Sequence, residues 1–356
     1  MNLANYFDHA ATSPLDPRVR EAMRPWLGDW VGNANSVHAP GRAARAAVET
    51  ARAQVAEALG AEDPMQIIFT SGATEANNWL VACADDLWIS PFEHSSLREP
   101  ALGSGGGILP NQGFTVGDPD GVPQWRAVMR VHNETGAILD PWIGSAQWRF
   151  SDLTQAVGKI PVSVAGLDAA SCSAHKCGGP MGVGVMYLAE PDRWVPLLTG
   201  GGQEFGLRSG TLNVAGIVGA GLAFALAAEE QTARYAQAEW LRELLQQAIA
   251  PLGGVTWNEN EEGQSPFIVS MTIGGILAET LVVELDHAGF ATSAGAACSS
   301  HESAASPGLM ALGMSEREAL CTLRISFGPG NTVDSTRDLA DHLQRIIRHL
   351  RRESGP

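Results

Sequence analysis

The sequence predicts an α/β protein built around a mostly parallel sheet, and two observations lead to this fold class. Residues 67–70 form a β-branched and aromatic run that leads directly into a glycine turn and a helix start at 71–78. Further short apolar runs, each followed by small or polar residues, occur at 128–131, 167–172 and 183–188. Strand, glycine turn and helix form the repeating unit of a parallel α/β sheet, whose ligands bind beyond the carboxyl ends of the strands.

The helices are predicted from apolar positions spaced three and four residues apart. The first covers 44–59 and ends at Gly60, a residue suited to the turn after a helix. A long helical stretch is predicted from Val214 to about residue 250. An amphipathic helix closes the chain, and Ser335 with Asp338 three residues later predicts its start as a variant of the capping box.

A second region follows the long helical stretch. Apolar runs at 267–271 and 323–327 predict two strands there. With 356 residues, 45% of them hydrophobic and 17% charged, the chain is long enough for two domains. We expect a large domain over residues 16–249 and a small domain over residues 1–15 and 250–356.

Charge and cysteine content limit the partners and the compartment. A net charge of −16 argues against nucleic acid and anionic membranes as partners, because both would repel such a surface. Five cysteines without repeated spacing favour a reducing compartment. Residues 1–8 contain neither a basic segment nor an apolar segment of the kind that directs export. We therefore expect a cytoplasmic protein.

The most informative motif is the glycine-bearing turn at residues 173–180, which presents Lys176 just after an apolar run. A desolvated lysine can lose its proton and form a Schiff base with a carbonyl group. Together with Asp152 and Gln155 upstream, this turn suits a pyridoxal phosphate pocket, where an acid faces the pyridine nitrogen and a lysine faces the aldehyde. A surface lysine beside glycines is the alternative, and the other motifs decide between the two.

Three further segments follow predicted strands and supply polar groups. Residues 71–74 offer N–H groups at a helix N-terminus, which favours a phosphate, although a plain helix cap is the alternative. His94 could stack on a flat ring or move protons, and a structural histidine is the alternative. Asn133 could donate to a phenolic oxygen or to a substrate carboxylate, or it could cap a turn.

The last candidates lie in the second half of the chain. The glycine-bearing loop at 200–211 is suited to approach a phosphate from outside, and the site of a neighbouring subunit is one candidate for that phosphate. Cys298 is flanked by small residues, which favours a reachable thiol. Arg324 lies in an apolar strand, where a guanidinium is costly unless it binds an anion such as an amino-acid carboxylate.

A zinc site is the alternative function for the lysine turn. Cys172, His175 and Cys177 lie within it, but three candidates without paired Cys-x-x-Cys spacing do not match a structural zinc site. We therefore predict no metal.

Taken in order, these motifs resemble the cysteine desulfurases of the class-V aminotransferase family, and in particular the group whose reactive cysteine lies on a long mobile loop. The resemblance covers nearly the whole chain, with matching pieces at residues 6–12, 70–78, 93–94, 133–134, 152–159, 173–176, 208–211 and 295–299. It implies the type I fold of pyridoxal phosphate-dependent transferases. The mostly parallel sheet would form the large domain, and a smaller α+β domain would carry the cysteine loop.

The resemblance also implies a role for each residue that surrounds the cofactor ring. Lys176 would bind pyridoxal phosphate covalently, Asp152 would pair with the pyridinium nitrogen, and His94 would stack on the ring. The phenolic oxygen of the ring would be contacted by Gln155 and Asn133.

The phosphate contacts implied by the resemblance come from two chains. One chain would supply Ala73, Thr74, Ser173 and His175. Thr211 would reach across from a second subunit, so that the site would require a homodimer.

The activity implied by the resemblance is the conversion of L-cysteine to L-alanine. Arg324 and Asn133 would bind the substrate, and Lys176 would remove its Cα proton. The Cys298 thiolate, with His94 as a candidate proton acceptor, would attack the substrate sulfur and become a persulfide. The sulfur would then pass to an acceptor, such as a scaffold for iron-sulfur clusters.

Two alternatives to this activity stay open at the sequence level. The chain could be a selenocysteine lyase or another class-V lyase or aminotransferase that also uses pyridoxal phosphate. It could instead be a scaffold in sulfur-cluster assembly that keeps the fold without the chemistry.

The sequence departs from the family pattern at three places. The segment between His94 and Asp152 is shorter than usual, and a glycine-rich stretch stands where regular elements are expected. His132 stands where an asparagine is more usual, and Cys177 follows the lysine where a bulky residue is common.

Overall fold

The computed structural model describes residues 2–295 and 305–353. Its helices are α1 (Pro17–Leu27), α2 (Ala39–Leu59), α3 (Ala73–Cys83), α4 (Ser95–Gly103), α5 (Val214–Glu229), α6 (Gln231–Ile249), α7 (Ala278–His287), α8 (Pro307–Ala311), α9 (Glu316–Leu320) and α10 (Val333–Glu353). Its strands are β1 (Ile67–Thr70), β2 (Leu87–Ile89), β3 (Gly107–Ile108), β4 (Asn111–Gln112), β5 (Thr115–Val116), β6 (Trp125–Ala127), β7 (Trp148–Asp152), β8 (Ala169–Ser173), β9 (Gly184–Leu188), β10 (Val255–Trp257), β11 (Ile268–Ile273), β12 (Ser293–Ala294) and β13 (Thr322–Ser326).

A seven-stranded sheet in the order β1-β9-β8-β7-β6-β2-β3 forms the centre of the first region. The strands from β8 to β3 are parallel to their neighbours, whereas β9 runs antiparallel to both β8 and β1. The predicted α/β class with a mostly parallel sheet is confirmed, and β9 is the strand that departs from it.

Helices cover both faces of this sheet. One core contains α1, α2 and α5, and the other contains α3 and α4. Within β1, Ile67 and Phe69 belong to the first core and Ile68 belongs to the second. This is the alternation that a strand covered on both faces requires.

The predicted strand at 128–131 is wrong. β6 ends at Ala127, and Val131 forms only an isolated bridge with Ile138. The segment is apolar because it is buried although it is not a strand, and Val128 is only 1% exposed. β6 itself was not predicted because it contains a charged residue, Arg126. This side chain is buried and pairs with Asp118 at 3.1 Å.

The glycine-rich part of the segment between His94 and Asp152 contains regular structure, contrary to expectation. α4 extends to Gly103, and Gly107 begins β3, which pairs in parallel with β2. A Cβ atom at Gly107 would lie 2.6 Å from the indole ring of Trp88. The glycine is therefore required by the close approach of two strands, and it does not mark a loop.

The predicted long helix from Val214 to about residue 250 is two helices that meet at Glu230 and are bent by 68°. Residues of α5 such as Phe224 pack in the core of the large sheet, whereas Leu241 and Leu245 of α6 pack in a separate core. The bend lets one continuous segment bury its apolar side chains in two different cores. Within the described residues no single helix meets the length and apolarity needed to cross a membrane, although Val214–Glu229 and Gln231–Leu252 together do.

A four-stranded antiparallel sheet in the order β10-β11-β13-β12 forms the second region. Helices α6, α7 and α10 pack on it. The N-terminal segment joins this sheet through bridges from Tyr6 to Ala291 and from Asp8 to Ser326. The domain boundaries at residues 15/16 and 249/250 stay a prediction.

The start of α10 differs from the predicted capping box. The helix begins at Val333, so Ser335 lies inside its first turn. The reciprocal bonds are made one turn earlier, where the Thr332 N–H donates to Ser335 Oγ at 3.0 Å and the Ser335 N–H donates to Thr332 Oγ1 at 3.1 Å. The sequence pattern therefore predicted the helix correctly. It placed the capping residue at Ser335, three residues after the observed cap at Thr332.

A buried ion pair fixes the loop that follows residue 200. The guanidinium of Arg52 on α2 donates to both carboxylate oxygens of Glu204, at 2.9 and 2.8 Å, and the Phe69 N–H donates to the same carboxylate at 2.7 Å. Glu204 and Phe205 both have positive φ angles, of 49° and 58°. Because non-glycine residues rarely adopt this conformation, the contacts of Glu204 hold the turn in a specific shape.

Candidate functional site

A cavity of about 490 Å³ opens where β7 and β8 end and α3 begins. Ten of the residues predicted from the sequence line it, namely Ala73, Thr74, His94, Asn133, Asp152, Gln155, Ser173, His175, Lys176 and Arg324. Thr211 is exposed to solvent and is not part of this wall. Cys298 lies outside the described residues.

Lys176 ends the single 3-10 turn that follows β8. Its Nζ donates to the backbone carbonyl of Ala10 at 2.7 Å and to that of Ala11. Both carbonyls belong to the N-terminal segment, which reaches the cavity from the second sheet. The amine is therefore held at the wall of the cavity by backbone groups from a distant part of the chain.

Asp152, the last residue of β7, is held in one orientation by neighbours on three elements. Its Oδ1 accepts from the Thr154 N–H at 2.9 Å, and its Oδ2 accepts from Asn77 Nδ2 at 3.1 Å. Asn77 Oδ1 in turn accepts from the Ser171 hydroxyl at 2.7 Å. Sequence reasoning missed Asn77, although it lies in the helix start that was identified as a motif.

The N-terminus of α3 forms one end of the cavity. Gly72 precedes the helix and its backbone is extended, and no side chain among residues 2–295 and 305–353 caps the helix. The free N–H groups of this helix end therefore remain available to an anion. Strand β9 passes so close behind it that a Cβ atom at Gly184 would lie 2.4 Å from the carbonyl carbon of Gly72, which explains the glycine at that position of the strand.

His175 and His94 stand on different sides of the cavity. His175 Nδ1 shares a hydrogen bond with Thr12 Oγ1 at 3.0 Å, and burial lowers its pKa to about 4, with Lys176 and Lys159 contributing. His94 caps α4, and its Nδ1 accepts from the Ser96 N–H at 3.1 Å. Since Nδ1 is an acceptor, the neutral ring of His94 carries its proton on Nε2.

Arg324 on β13 already has partners within the chain. Its guanidinium donates to Asp8 Oδ1 at 2.9 Å and to the Asn133 carbonyl at 3.0 Å, while Nε is buried without a partner in the described part of the chain. Asp8 supplies a negative charge to Arg324 within the chain, and the binding of an amino-acid carboxylate by the same guanidinium stays a prediction. Asp8 lies in a motif quoted above, but its pairing spans 316 positions, and no local pattern reveals it.

Two buried carboxyl groups next to predicted site residues were also missed. Burial raises the pKa of Glu93 to about 8, against the effect of hydrogen bonds from the Ser90 hydroxyl and the Met129 N–H. Burial likewise raises the pKa of Glu134 to about 7, against the effects of Ser306 first and then of Arg324 and His94. Each acid is adjacent to a residue that the sequence had marked: Glu93 directly precedes His94, and Glu134 directly follows Asn133.

We expect the buried carboxyl of Glu93 to make folding stability decrease with rising pH. Between pH about 4.5 and about 8 the unfolded chain releases this proton while the folded chain keeps it, so the folded state binds more protons and loses stability as pH rises. The loss is complete above pH 8. A tenfold difference in proton affinity corresponds to ~1.4 kcal/mol.

Thermal melting of wild type and Glu93→Gln at pH 5, 7 and 9 measures this effect. The variant should be less sensitive to pH than wild type, with the difference growing toward pH 9. Glu99→Gln, which removes an exposed carboxylate from the neighbouring helix, is the matched control. If the melting temperatures of wild type and Glu93→Gln changed by the same amount between pH 5 and pH 9, the prediction would be wrong.

The cysteines of the described chain do not form a metal site. No group of three or more His, Cys, Asp or Glu side chains within residues 2–295 and 305–353 has suitable geometry. Cys172 and Cys177 are buried free thiols. Burial raises the pKa of Cys177 to about 11, which keeps it protonated.

The chain is similar to known proteins over almost its entire length. Residues 5–102 and 126–339 match the family described as Aminotransferase class-V. A cysteine desulfurase of Frankia sp. (strain EuIK1) is 37% identical over 97% of this chain and 92% of its own. The solved structure of a NifS-like protein has a TM-score of 0.87 at 31% identity, covering 97% of this chain and 99% of that chain. A structure titled SspA in complex with cysteine has a TM-score of 0.75 at 26% identity, covering 92% and 100%.

Proposed function

The chain belongs to the class-V aminotransferase family and, within it, to the cysteine desulfurases, and on this premise we propose that it binds pyridoxal phosphate at Lys176 and transfers the sulfur of L-cysteine to Cys298. The observation that carries the proposal is the convergence of the Lys176 amine, the Asp152 carboxylate and the Arg324 guanidinium on one cavity. These groups come from three different strands or their ends.

The residues present fit the cofactor. Apart from its chain neighbours, no described residue has a heavy atom within 4 Å of a Cβ built on Gly72, which leaves space above the N-terminus of α3 for a phosphate group. Ser173 and His175 would complete that end of the site. Thr154 Oγ1 is buried and has no partner in the described chain, which leaves a donor free for a bound group. The cavity volume lies within the usual range for cofactor sites.

Bound pyridoxal phosphate supplies a sink for the electrons released when an amino acid loses its Cα proton. The side chains around it hold the reactants. The Asp152 carboxylate, held by Asn77, would face the ring nitrogen, and His94 would lie against the ring. Arg324 would bind the substrate carboxylate beside Asn133, and the Lys176 amine would take the Cα proton.

The sulfur transfer itself is an attack by the Cys298 thiolate on the substrate sulfur. A sulfur–sulfur bond forms, the carbon–sulfur bond breaks, and its electron pair stays with the carbon, which takes up a proton and leaves as alanine. The products are a persulfide on Cys298 and L-alanine, so atoms and electrons balance without a further reactant. His94 is the proposed acceptor for the thiol proton, which it would take up at Nδ1 on releasing the Ser96 N–H.

Assembly and location complete the proposal. Thr211, exposed and outside its own cavity wall, would contact the phosphate in the partner chain of a homodimer. The persulfide sulfur would pass to an acceptor protein, such as a scaffold for iron-sulfur clusters, in the cytoplasm. With a net charge of −16, the protein is suited to neither nucleic acid nor anionic membranes.

The test is the reaction of the purified protein, supplied with pyridoxal phosphate, with L-cysteine and a thiol reductant. We expect visible absorbance from the bound cofactor and equal amounts of L-alanine and sulfide. L-Selenocysteine, offered at the same concentration, distinguishes a selenocysteine lyase by a strong preference for selenium. Absence of both absorbance and alanine would refute the proposal and favour a scaffold without chemistry.

A further inference from the structure

The chain contains only two lysines among its 23 basic Lys and Arg residues, and both lie at the proposed site. Lys176 lines the cavity directly. Lys159 lies behind it and is 6% exposed. Burying an amine destabilises the fold unless the amine has a specific partner. The proposed reaction assigns no role to Lys159.

The partner of Lys159 is Gln155, one turn earlier in the chain. Lys159 Nζ donates to Gln155 Oε1, and Gln155 Nε2 donates to the Ala10 carbonyl at 2.8 Å. A lysine amine donates in both of its protonation states, and a backbone carbonyl can only accept. The two contacts therefore fix which end of the amide is oxygen and which is nitrogen.

This orientation matters because Gln155 lines the cavity. With Oε1 occupied by Lys159 and one Nε2 hydrogen given to Ala10, the second Nε2 hydrogen remains for a bound group. Without Lys159 the amide could turn by 180°, since its two ends have almost the same shape. It would then present an oxygen where a donor is needed.

We propose that Lys159 is a positioning residue that holds the Gln155 amide with an N–H directed at the phenolic oxygen of bound pyridoxal phosphate. This inference rests on the proposed function. The cofactor oxygen would be stabilised as an anion by that N–H and by the nearby positive charge. Both effects make the nitrogen shared by Lys176 and the cofactor easier to deprotonate.

The surroundings of Lys159 make its charge depend on pH near neutrality. Burial lowers its pKa to about 7, and the charge of Lys176 acts in the same direction. Other titratable or charged groups that act on it or respond to it are His9, His175, Cys177 and Arg324. Lys159 also borders a second cavity of about 240 Å³, on whose wall Asp16 and Arg234 lie. That space leaves room for a longer basic side chain.

The experiment follows the visible absorbance of the cofactor-loaded protein across a pH titration. Lys159→Met should move the midpoint upward by about one pH unit, because a hydrogen bond to a charged group is worth ~1.5 kcal/mol or more and one unit corresponds to ~1.4 kcal/mol. Lys159→Arg, which keeps both donor and charge, should restore a midpoint near that of wild type. Val157→Ala, a buried neighbour on the wall of the second cavity, is the structural control and should not move it.

A double-variant cycle shows whether Lys159 acts through Gln155. In a Gln155→Ala background, the shift caused by Lys159→Met should be at most half as large. Equal shifts in both backgrounds, or an unchanged midpoint in Lys159→Met, would overturn the inference while leaving the proposed function intact. A wild-type protein without visible absorbance would instead refute the proposed function itself.

A second measurement does not depend on the folding of a Lys159 variant. Labelling lysine with ¹⁵N gives only two Nζ signals in this chain, one of which is lost in Lys176→Ala. The remaining Lys159 signal should shift when Gln155 is replaced by alanine. If it does not shift, the contact on which the inference rests is absent in solution.

Discussion

Lys176→Ala should reduce alanine formation from L-cysteine by at least about 10³-fold, since the change removes both the group that bonds to the cofactor and the proposed base. The visible absorbance due to the covalent bond should disappear at the same time. Both are measured on the purified variant, by chromatography of alanine and by absorption spectroscopy after removal of free pyridoxal phosphate.

Lys176→Arg separates charge from covalent chemistry. It keeps a positive charge beside the carbonyls of Ala10 and Ala11 but cannot bond to an aldehyde. We expect it to be as inactive as Lys176→Ala. Alanine formation within tenfold of wild type in either variant would mean that Lys176 does not hold the cofactor.

Cys298→Ala should abolish persulfide formation and slow alanine release by at least about 10²-fold, since no other thiol is proposed to accept the sulfur. Cofactor absorbance should be retained, because the lysine and its surroundings are unchanged. Persulfide is measured by thiol-specific alkylation and mass spectrometry after a single turnover with L-cysteine.

Cys83→Ala is the matched control for Cys298. Cys83 is a half-buried free thiol at the end of α3, on the wall of a different pocket. Its replacement should leave both persulfide and alanine at wild-type levels. If Cys298→Ala keeps full turnover with a physiological thiol, the protein releases sulfide without a persulfide, and the lyase alternative is correct.

The sequence marked the residues that line the cavity more completely than it marked the strands that support them. Motifs such as 71–74 and 173–176 could be recognised because glycine turns and strand ends are local patterns. β6 and β7 could not, because Arg126 and Ser151 interrupt the apolar runs by which strands are recognised. The groups that make their burial acceptable, Asp118 and the Val128 carbonyl, are not marked by any local pattern.

The partners of the site residues could not be predicted from the sequence for the same reason. Asp8 meets Arg324 across 316 positions, and Asn77 meets Asp152 across 75. Lys159 was part of a quoted motif, but its contact with Gln155 could be interpreted only in the structure, where Gln155 lines the cavity and Lys159 lies behind it. Such pairings depend on how the two sheets and the N-terminal segment come together.

The Arg52–Glu204 pair bears on how two chains would meet. Because the turn at 204–205 is locked to α2 and β1 by buried contacts within one chain, the loop that leads to Thr211 acquires its shape during folding. The entropy lost in ordering that loop is then absent from the free energy of association. A monomer would already be preorganised to offer its threonine, so subunit exchange could proceed by rigid docking.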